Sequence, residues 1–424
     1  MRRLYTLLLY LLMPAVLLYL YIRGFRESGY RARWSERFGR FSPPAQHGGI
    51  WVHAVSVGEV NAAAGLIRNL AERYPGAPLV VTTFTPTGSA RVRELFGDAV
   101  FHVYSPFDLP GAVRRFLASV RPRAAIILET EIWPNLYRQC EDEGIPMLIA
   151  NARISDRSFD RYRRLSGLTS EALARVDCIA AQSDRDAERL RAIGAPFDRV
   201  LTTGNIKFDL ELPAGIEQAG RTIRRSWGDH RPVLVAGSTH PGEEDVVLEA
   251  FNTVIEDFPE ALLVLVPRHP DRFDSAVRSA VEAGFRTSRL SETPDCPEDS
   301  QCYVIDAMGV LLNYYAAADV AFVGGSLVPV GGHNVLEPAA IGCPVITGPH
   351  TFNFEDIMDK LIEGGGAVRV QDTAELGDEI RRLFTDESAR HAMGRRGGKL
   401  VEEGQGAVER TLALIEPLLS EGAD

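Results

Sequence analysis

From residue 50 onward, short β-rich runs alternate with longer helical patterns, and that alternation is what most constrains the fold. The first block has apolar runs at 50–56, 78–84, 124–128, 146–150, 178–182 and 200–203. A second block follows a polar stretch at 211–232, with runs at 233–236, 261–266, 302–305, 320–323, 344–346 and 367–370. Runs this apolar suit strands covered on both faces, as in parallel sheets. Strict βα alternation in two blocks predicts an α/β chain of two doubly wound domains. At 424 residues the chain is also long for a single core. The expected divisions are 1–40, 41–215 and 216–424. Residues 386–419 read as helix, and this last helix is placed to pack back on the N-terminal domain.

In such folds ligands bind beyond the carboxyl ends of the strands, so an inter-domain cleft is the expected site and the residues after each strand are the candidates. Residues 323–338, VGGSLVPVGGHNVLEP, bring two glycine pairs up to a helix expected to open at Asn334. Glycine admits close ligand approach and a helix start offers unpaired N–H groups, so the stretch reads as a phosphate or nucleotide cradle. It reads equally as a turn with an Asn334–Glu337 capping box. Glu59 follows the first strand at a helix start. There the macrodipole would hold its pKa down, while a cleft-facing Glu59 would accept a proton. Glu129 and Glu131 stand two apart beside Trp133 and, on extended backbone, would point the same way. They also suit the acidic first turn of a helix. Lys207 suits either a carboxylate or phosphate partner, or a surface pair with Asp209. In the second block, Arg268 after Pro267 has the planar fork that phosphate favours, Glu337 can accept from ribose hydroxyls, and the loop Met308, Gly309, Val310 can approach a base.

The N-terminal end differs from the rest. Residues 4–22 are uncharged and apolar, long enough at about 1.5 Å per residue to cross a hydrocarbon core of about 30 Å. No small-residue cleavage pattern follows, so an anchor is expected rather than a signal peptide, with a full span expected in preference to a shallow in-plane helix. Net charge is −11, yet residues 1–40 hold eight Arg against two Glu. The six arginines from Arg23 to Arg40 place the folded body on the cytoplasmic side. An acidic body also argues against general nucleic-acid binding. Five scattered cysteines without a C-x-x-C pair suggest reduced thiols and no zinc site. Asp184-Arg185-Asp186 has a D-x-D spacing, but at a helix start it reads as capping. His53, His240, His269 and His333 fall on different loops, as hydrogen-bond donors or structural groups before metal ligands.

Taken in order, YRARWSERFG, HAVSVGE, TTFTPTGS, ETEIWPN, NARIS, TGNIKFD, STHPGEE, VPRHP, FVGGSL, GGHN, LE and GPHTFNF span nearly the whole chain. Together they resemble the bacterial 3-deoxy-D-manno-octulosonate (Kdo) transferases, the lipid IVA Kdo transferase family. The resemblance implies the GT-B glycosyltransferase architecture, without metal or cofactor. It implies CMP-Kdo as donor to the C-terminal domain, lipid IVA as acceptor on the N-terminal domain, and a place at the bacterial inner membrane with the catalytic domains in the cytoplasm. By motif, Glu59 falls on the family's catalytic base and Glu129 and Lys207 on positions that stabilise the transition state. Pro267, Arg268, Met308, Gly309, Val310, Asn334, Val335, Leu336 and Glu337 fall on CMP-binding positions. Two departures touch that donor site: Val310 stands where the family commonly has Glu in MGEL, and Val335 where it has Pro in GGHNPLE. The alternatives are a GT-B enzyme or epimerase acting on another nucleotide sugar, and a non-catalytic membrane-bound nucleotide-binding protein.

Overall fold

The computed structural model describes residues 1–420. The chain forms two compact units: Met1–Asp209 together with the C-terminal segment from Gly404, and Leu210–Glu403.

The first unit is built on seven strands: β1 (Ile50–His53), β2 (Leu79–Thr83), β3 (Phe101–Tyr104), β4 (Ala124–Leu128), β5 (Met147–Ala152), β6 (Cys178–Ala181) and β7 (Val200–Thr202). They form one parallel sheet in the order β3-β2-β1-β4-β5-β6-β7. Ile50 is in register with Leu79 on one side and Ala124 on the other. The second unit repeats the plan with β8 (Val233–Thr239), β9 (Leu262–Pro267), β10 (Thr287–Arg289), β11 (Cys302–Val304), β12 (Val320–Val323), β13 (Val345–Thr347) and β14 (Ala367–Arg369). Its order is β10-β11-β9-β8-β12-β13-β14, also parallel. Central strands such as β4 and β9 are buried at every residue, which is why they read as continuous apolar runs. The two strands not anticipated, β3 and β10, lie at sheet edges. An edge strand is covered less completely, so Thr287-Ser288-Arg289 can be polar and carries no apolar signal.

The C-terminal run is two helices, Glu387–Gly404 and Ala407–Ser420, where one was expected. The break falls at Gly406, whose φ of +87° a residue with a side chain rarely adopts. Asp209 stabilises it by accepting the backbone N–H groups of Gly406 and Val408 at the start of the second helix. That helix places Val408, Leu412, Ile415 and Leu419 in one buried cluster with Val52, Val60 and Ile67.

The N-terminal helix Arg2–Arg23 lies against the first unit along its length. Leu9, Met13, Val16, Leu17 and Leu20, spaced along one face, pack with Trp34, Phe38, Phe84, Phe107 and Leu109. Near the helix start, Tyr5 donates to Asp108 at 2.9 Å and Thr6 to Asn135 at 2.9 Å. The opposite face leaves Leu4, Leu7, Leu8, Leu11, Leu12, Leu18 and Ile22 exposed. The helix has the length and hydropathy to cross a membrane, yet both its ends are tied to one domain.

If the last helix is part of the first unit's core, Leu412→Ala is expected to cost about 2–5 kcal/mol, the range for emptying a buried leucine site. Leu201→Ala, at a position 45% exposed, serves as the control and should shift the thermal midpoint far less. Equal shifts for the two variants would place the helix outside the core.

Candidate active site

In the first sheet the chain order reverses between β1 and β4, so the loops that follow them diverge and leave room for a ligand. Glu59 follows β1. The Ser56 hydroxyl caps the helix Val57–Arg73 by accepting from the Glu59 N–H, and the Glu59 carboxylate in turn accepts from the Val55 N–H at 2.8 Å and the Ser56 hydroxyl at 3.0 Å. This reciprocal arrangement fixes a carboxyl group that is only 8% exposed. Burial pushes its pKa up to about 8, the charges of Glu129 and Glu131 add to the rise, and the two hydrogen bonds oppose it. The depressed value expected from the helix dipole is therefore not what the site holds. Desolvation and two neighbouring acids outweigh a partial charge that acts at a helix end.

Glu129 follows β4, and its backbone is left-handed, φ +55°, not extended as the i, i+2 argument assumed. Such a conformation costs a residue with a Cβ about 1–2 kcal/mol. It is held by a hydrogen bond from the Glu129 N–H to the Ala150 carbonyl at 3.0 Å. The Glu129 carboxylate lies 3.9 Å from the Lys207 ammonium. Lys207 sits in the short turn Ile206–Phe208, whose N–H groups are held by Asn151 (to Ile206, 3.1 Å) and Asn205 (to Lys207, 3.0 Å). Asp209, the alternative partner for Lys207, is taken up by the C-terminal helix. Glu131 instead accepts from the Trp133 indole at 2.6 Å, and burial pushes its pKa to about 7. The structure thus gathers Glu59, Glu129, Glu131 and Lys207 at one end of the first sheet. Asn151, buried at φ +54° with its side-chain N–H2 unpartnered, is a residue of this region that pattern reading missed. It opens the NARIS segment, but the segment alone gives it no role, because that role is set by the turn across from it.

The second unit repeats the reversal between β8 and β12. Here the glycine-rich stretch behaves differently from the cradle expected of it. Glu243, fully buried, accepts the N–H groups of His240 (3.0 Å), Gly325 (2.6 Å), Ser326 (2.8 Å) and Leu327 (2.8 Å). Gly331 and Gly332 donate to the Gly325 carbonyl, and His333 to that of Gly324. The N–H groups of Gly324 to Leu327 and of Gly331 to His333 are therefore spent within the protein, and these glycines serve the tight fold. The helix expected to open at Asn334 runs only Leu336–Ala340, too short for much of a dipole. Asn334 does not complete a capping box either: its carbonyl oxygen accepts from the Leu336 N–H at 3.2 Å and its amide donates to Glu337 at 3.1 Å.

Charge in this unit comes from side chains. Arg268 is exposed just after buried Pro267, with its N–H on the Thr239 carbonyl at 3.0 Å. Burial raises the pKa of Glu337, while its bond from Asn334 and the charge of Arg268 oppose the rise. The side chains of Val335 and Leu336 belong to the core. Gly309, at φ +80°, forms the turn between exposed Met308 and half-buried Val310. Three histidines that sequence reading left on separate loops come together: His240 and His333 share a 2.8 Å contact between ring nitrogens, and the His269 ring lies 5.4 Å from that of His240. Burial drives the pKa of His333 down to about 4 and lowers that of His240. His240 and His333, both close to Arg268, are consequently neutral at neutral pH. His53 stands apart in the first unit, its Nδ1 on Thr82 at 2.9 Å.

Two parallel seven-stranded sheets, one with a buried carboxyl whose pKa is raised to about 8 and one with an exposed guanidinium beside a half-buried carboxyl, make up the GT-B glycosyltransferase architecture. Residues 32–210 match the family model described as 3-deoxy-D-manno-octulosonic-acid transferase (kdotransferase). Over 420 residues the chain is 40% identical to the 3-deoxy-D-manno-octulosonic acid transferase of Haemophilus influenzae, covering 98% of each chain. It is 38% identical to that of Bordetella pertussis over 99% of each. The UDP-GlcNAc 2-epimerase of Neisseria meningitidis superposes with a TM-score of 0.58 over 87% of this chain and 100% of that one; at 12% identity this is likeness of fold alone. The chain belongs to the 3-deoxy-D-manno-octulosonic acid transferase family.

Because the folded pKa of Glu59, about 8, exceeds its ordinary 4.5, the native state binds more protons than the unfolded state between these values. Stability contributed at this site falls as pH rises through that window. Glu59→Gln removes the slope. The thermal midpoint of the variant relative to the wild type should therefore climb steadily from pH 5 to pH 8, and a pH-independent difference would show that the carboxyl is not raised.

Proposed function

We propose that this enzyme transfers Kdo from CMP-Kdo to lipid IVA at the cytoplasmic face of the inner membrane, by metal-independent displacement with inversion. The observation that carries the reading is the buried Glu59 carboxyl beside the Glu129–Lys207 pair. A base works best when its pKa lies near the working pH, and Glu59 meets that condition through its surroundings. Its carboxylate takes the proton of the attacking acceptor hydroxyl. The freed oxygen bonds to the anomeric carbon of Kdo as the bond from that carbon to the CMP phosphate breaks. Val55 and Ser56 hold the carboxylate in one orientation while Lys207 offers positive charge next to Glu129. In the second unit the N–H groups of Gly325 to Leu327 are already used by Glu243, so Arg268 is the group that meets the departing phosphate's charge, with Glu337 suited to the ribose hydroxyls. Pro267, Met308 to Val310 and the backbone of Asn334 to Leu336 complete the CMP site in this reading.

Glu59→Gln should lower kcat by about 100-fold or more and leave CMP binding intact. Incubating membranes with CMP-Kdo and lipid IVA, with UDP-sugars as controls, tests the reaction. Near-normal turnover in the variant would remove Glu59 from the base role.

The N-terminal helix is read as lying in the plane of the membrane. One face is committed to the protein and the other is apolar, the division expected of an interfacial helix. A protease-sensitive tag at the N-terminus should then stay protected in intact spheroplasts and be cleaved after lysis. Cleavage from outside would show that the helix crosses the bilayer.

A further inference from the structure

The helix Asp156–Arg164 follows β5 and ends in a run of arginines. Arg157, Arg161 and Arg164 recur at i, i+4 and i+7, so they share one face. With Ser158, Asp160 and Leu165 they line an open cavity of about 570 Å³. All three arginines are exposed, and among the described residues none of them forms an ion pair. Guanidinium charge concentrated in this way and outside direct ion pairs suits a phosphate, which accepts several charge-assisted hydrogen bonds at once.

Two neighbours give the cavity a direction. On one side is the start of the apolar N-terminal helix: a side chain at Gly167 would meet the Met1 methyl at 2.7 Å, and Tyr5 and Tyr162 are close enough for their charges to interact. Met1, Leu4 and Leu165 are exposed there, so the arginines stand at the edge of an apolar surface. On the other side is the catalytic loop. The Tyr162 hydroxyl donates to the Thr130 carbonyl at 3.3 Å, and the charge of Arg161 reaches the Glu131 carboxyl.

We propose that Arg157, Arg161 and Arg164 form a subsite for a phosphate group of the glycolipid acceptor, holding its headgroup between the membrane-facing helix and the Glu129–Glu131 loop. This rests on the Kdo-transfer reading. A bulk anionic phospholipid would satisfy the membrane side of the cavity. It would gain nothing from the link to the catalytic loop, and that link is why the acceptor's own phosphate is the assigned occupant.

The test compares wild type with Arg157→Ala/Arg161→Ala/Arg164→Ala in detergent micelles, using lipid IVA and phosphatase-treated lipid IVA. The triple variant should raise KM for lipid IVA by about tenfold or more, from the loss of charge-assisted bonds, with KM for CMP-Kdo unchanged. With the dephosphorylated acceptor the two enzymes should perform alike. Equal KM for lipid IVA in both enzymes would overturn the proposal. So would an equal loss with both acceptors, or a loss confined to binding phosphatidylglycerol vesicles. Should the triple variant fold poorly, the single reversal Arg164→Glu is expected to give the same dependence on the acceptor's phosphate. If the wild type itself does not transfer Kdo, the Kdo-transfer reading fails, and that result is distinct from an unchanged KM in the variant.

Discussion

A carboxyl group taken out of water without a cation in contact must either be saturated with donors or keep its proton. The state of Glu59 depends on its meeting only part of the first condition. It receives two hydrogen bonds, from Val55 and Ser56, while the Lys207 ammonium is placed against Glu129. Two bonds do not offset near-complete burial plus two neighbouring acids, so proton affinity rises to about the working pH. Strain in the backbone at Glu129 and the Asn151-held turn at Lys207 serve the same end, because they decide where the competing charges stand.

The second unit shows the contrasting case. Glu243 is more deeply buried than Glu59, yet it collects four backbone N–H groups and acts as the internal anchor of the loop after β12. The same residue type thus keeps an ordinary charge-stabilising role where donors converge on it and has its proton affinity raised where they fall short. Satisfying Glu243 also uses the N–H groups of Gly325, Ser326 and Leu327. Exposed Arg268 stands near His240 and His333, whose pKa values burial lowers, so neither adds a competing charge at neutral pH.

A related division of labour runs along the N-terminal helix. Residues spaced for one face hold the domain, and the remainder leave leucines exposed. The helix is tied to its domain at Tyr5 and Thr6 as well as near Leu20, and the basic helix Asp156–Arg164 belongs to the same unit.

Much of this was legible without coordinates. The buried central strands announced themselves as apolar runs because both faces are covered, and Glu59, Glu129, Lys207 and Arg268 were found by their place after strands and by the motifs they share with a known family. Local sequence did not yield the short edge strands β3 and β10, and β10, polar throughout, carries no apolar pattern because a half-covered strand needs none. Nor could it reveal the break at Gly406, which is stabilised by a carboxylate nearly two hundred residues earlier. The proton affinity of Glu59, the consumption of the glycine-loop donors by Glu243 and the meeting of three histidines were likewise decided only by tertiary structure. Order along a chain specifies which groups are present and which element each begins or ends. Desolvation and hydrogen-bond competition depend on distances between groups far apart in that order, and only the folded chain determines those.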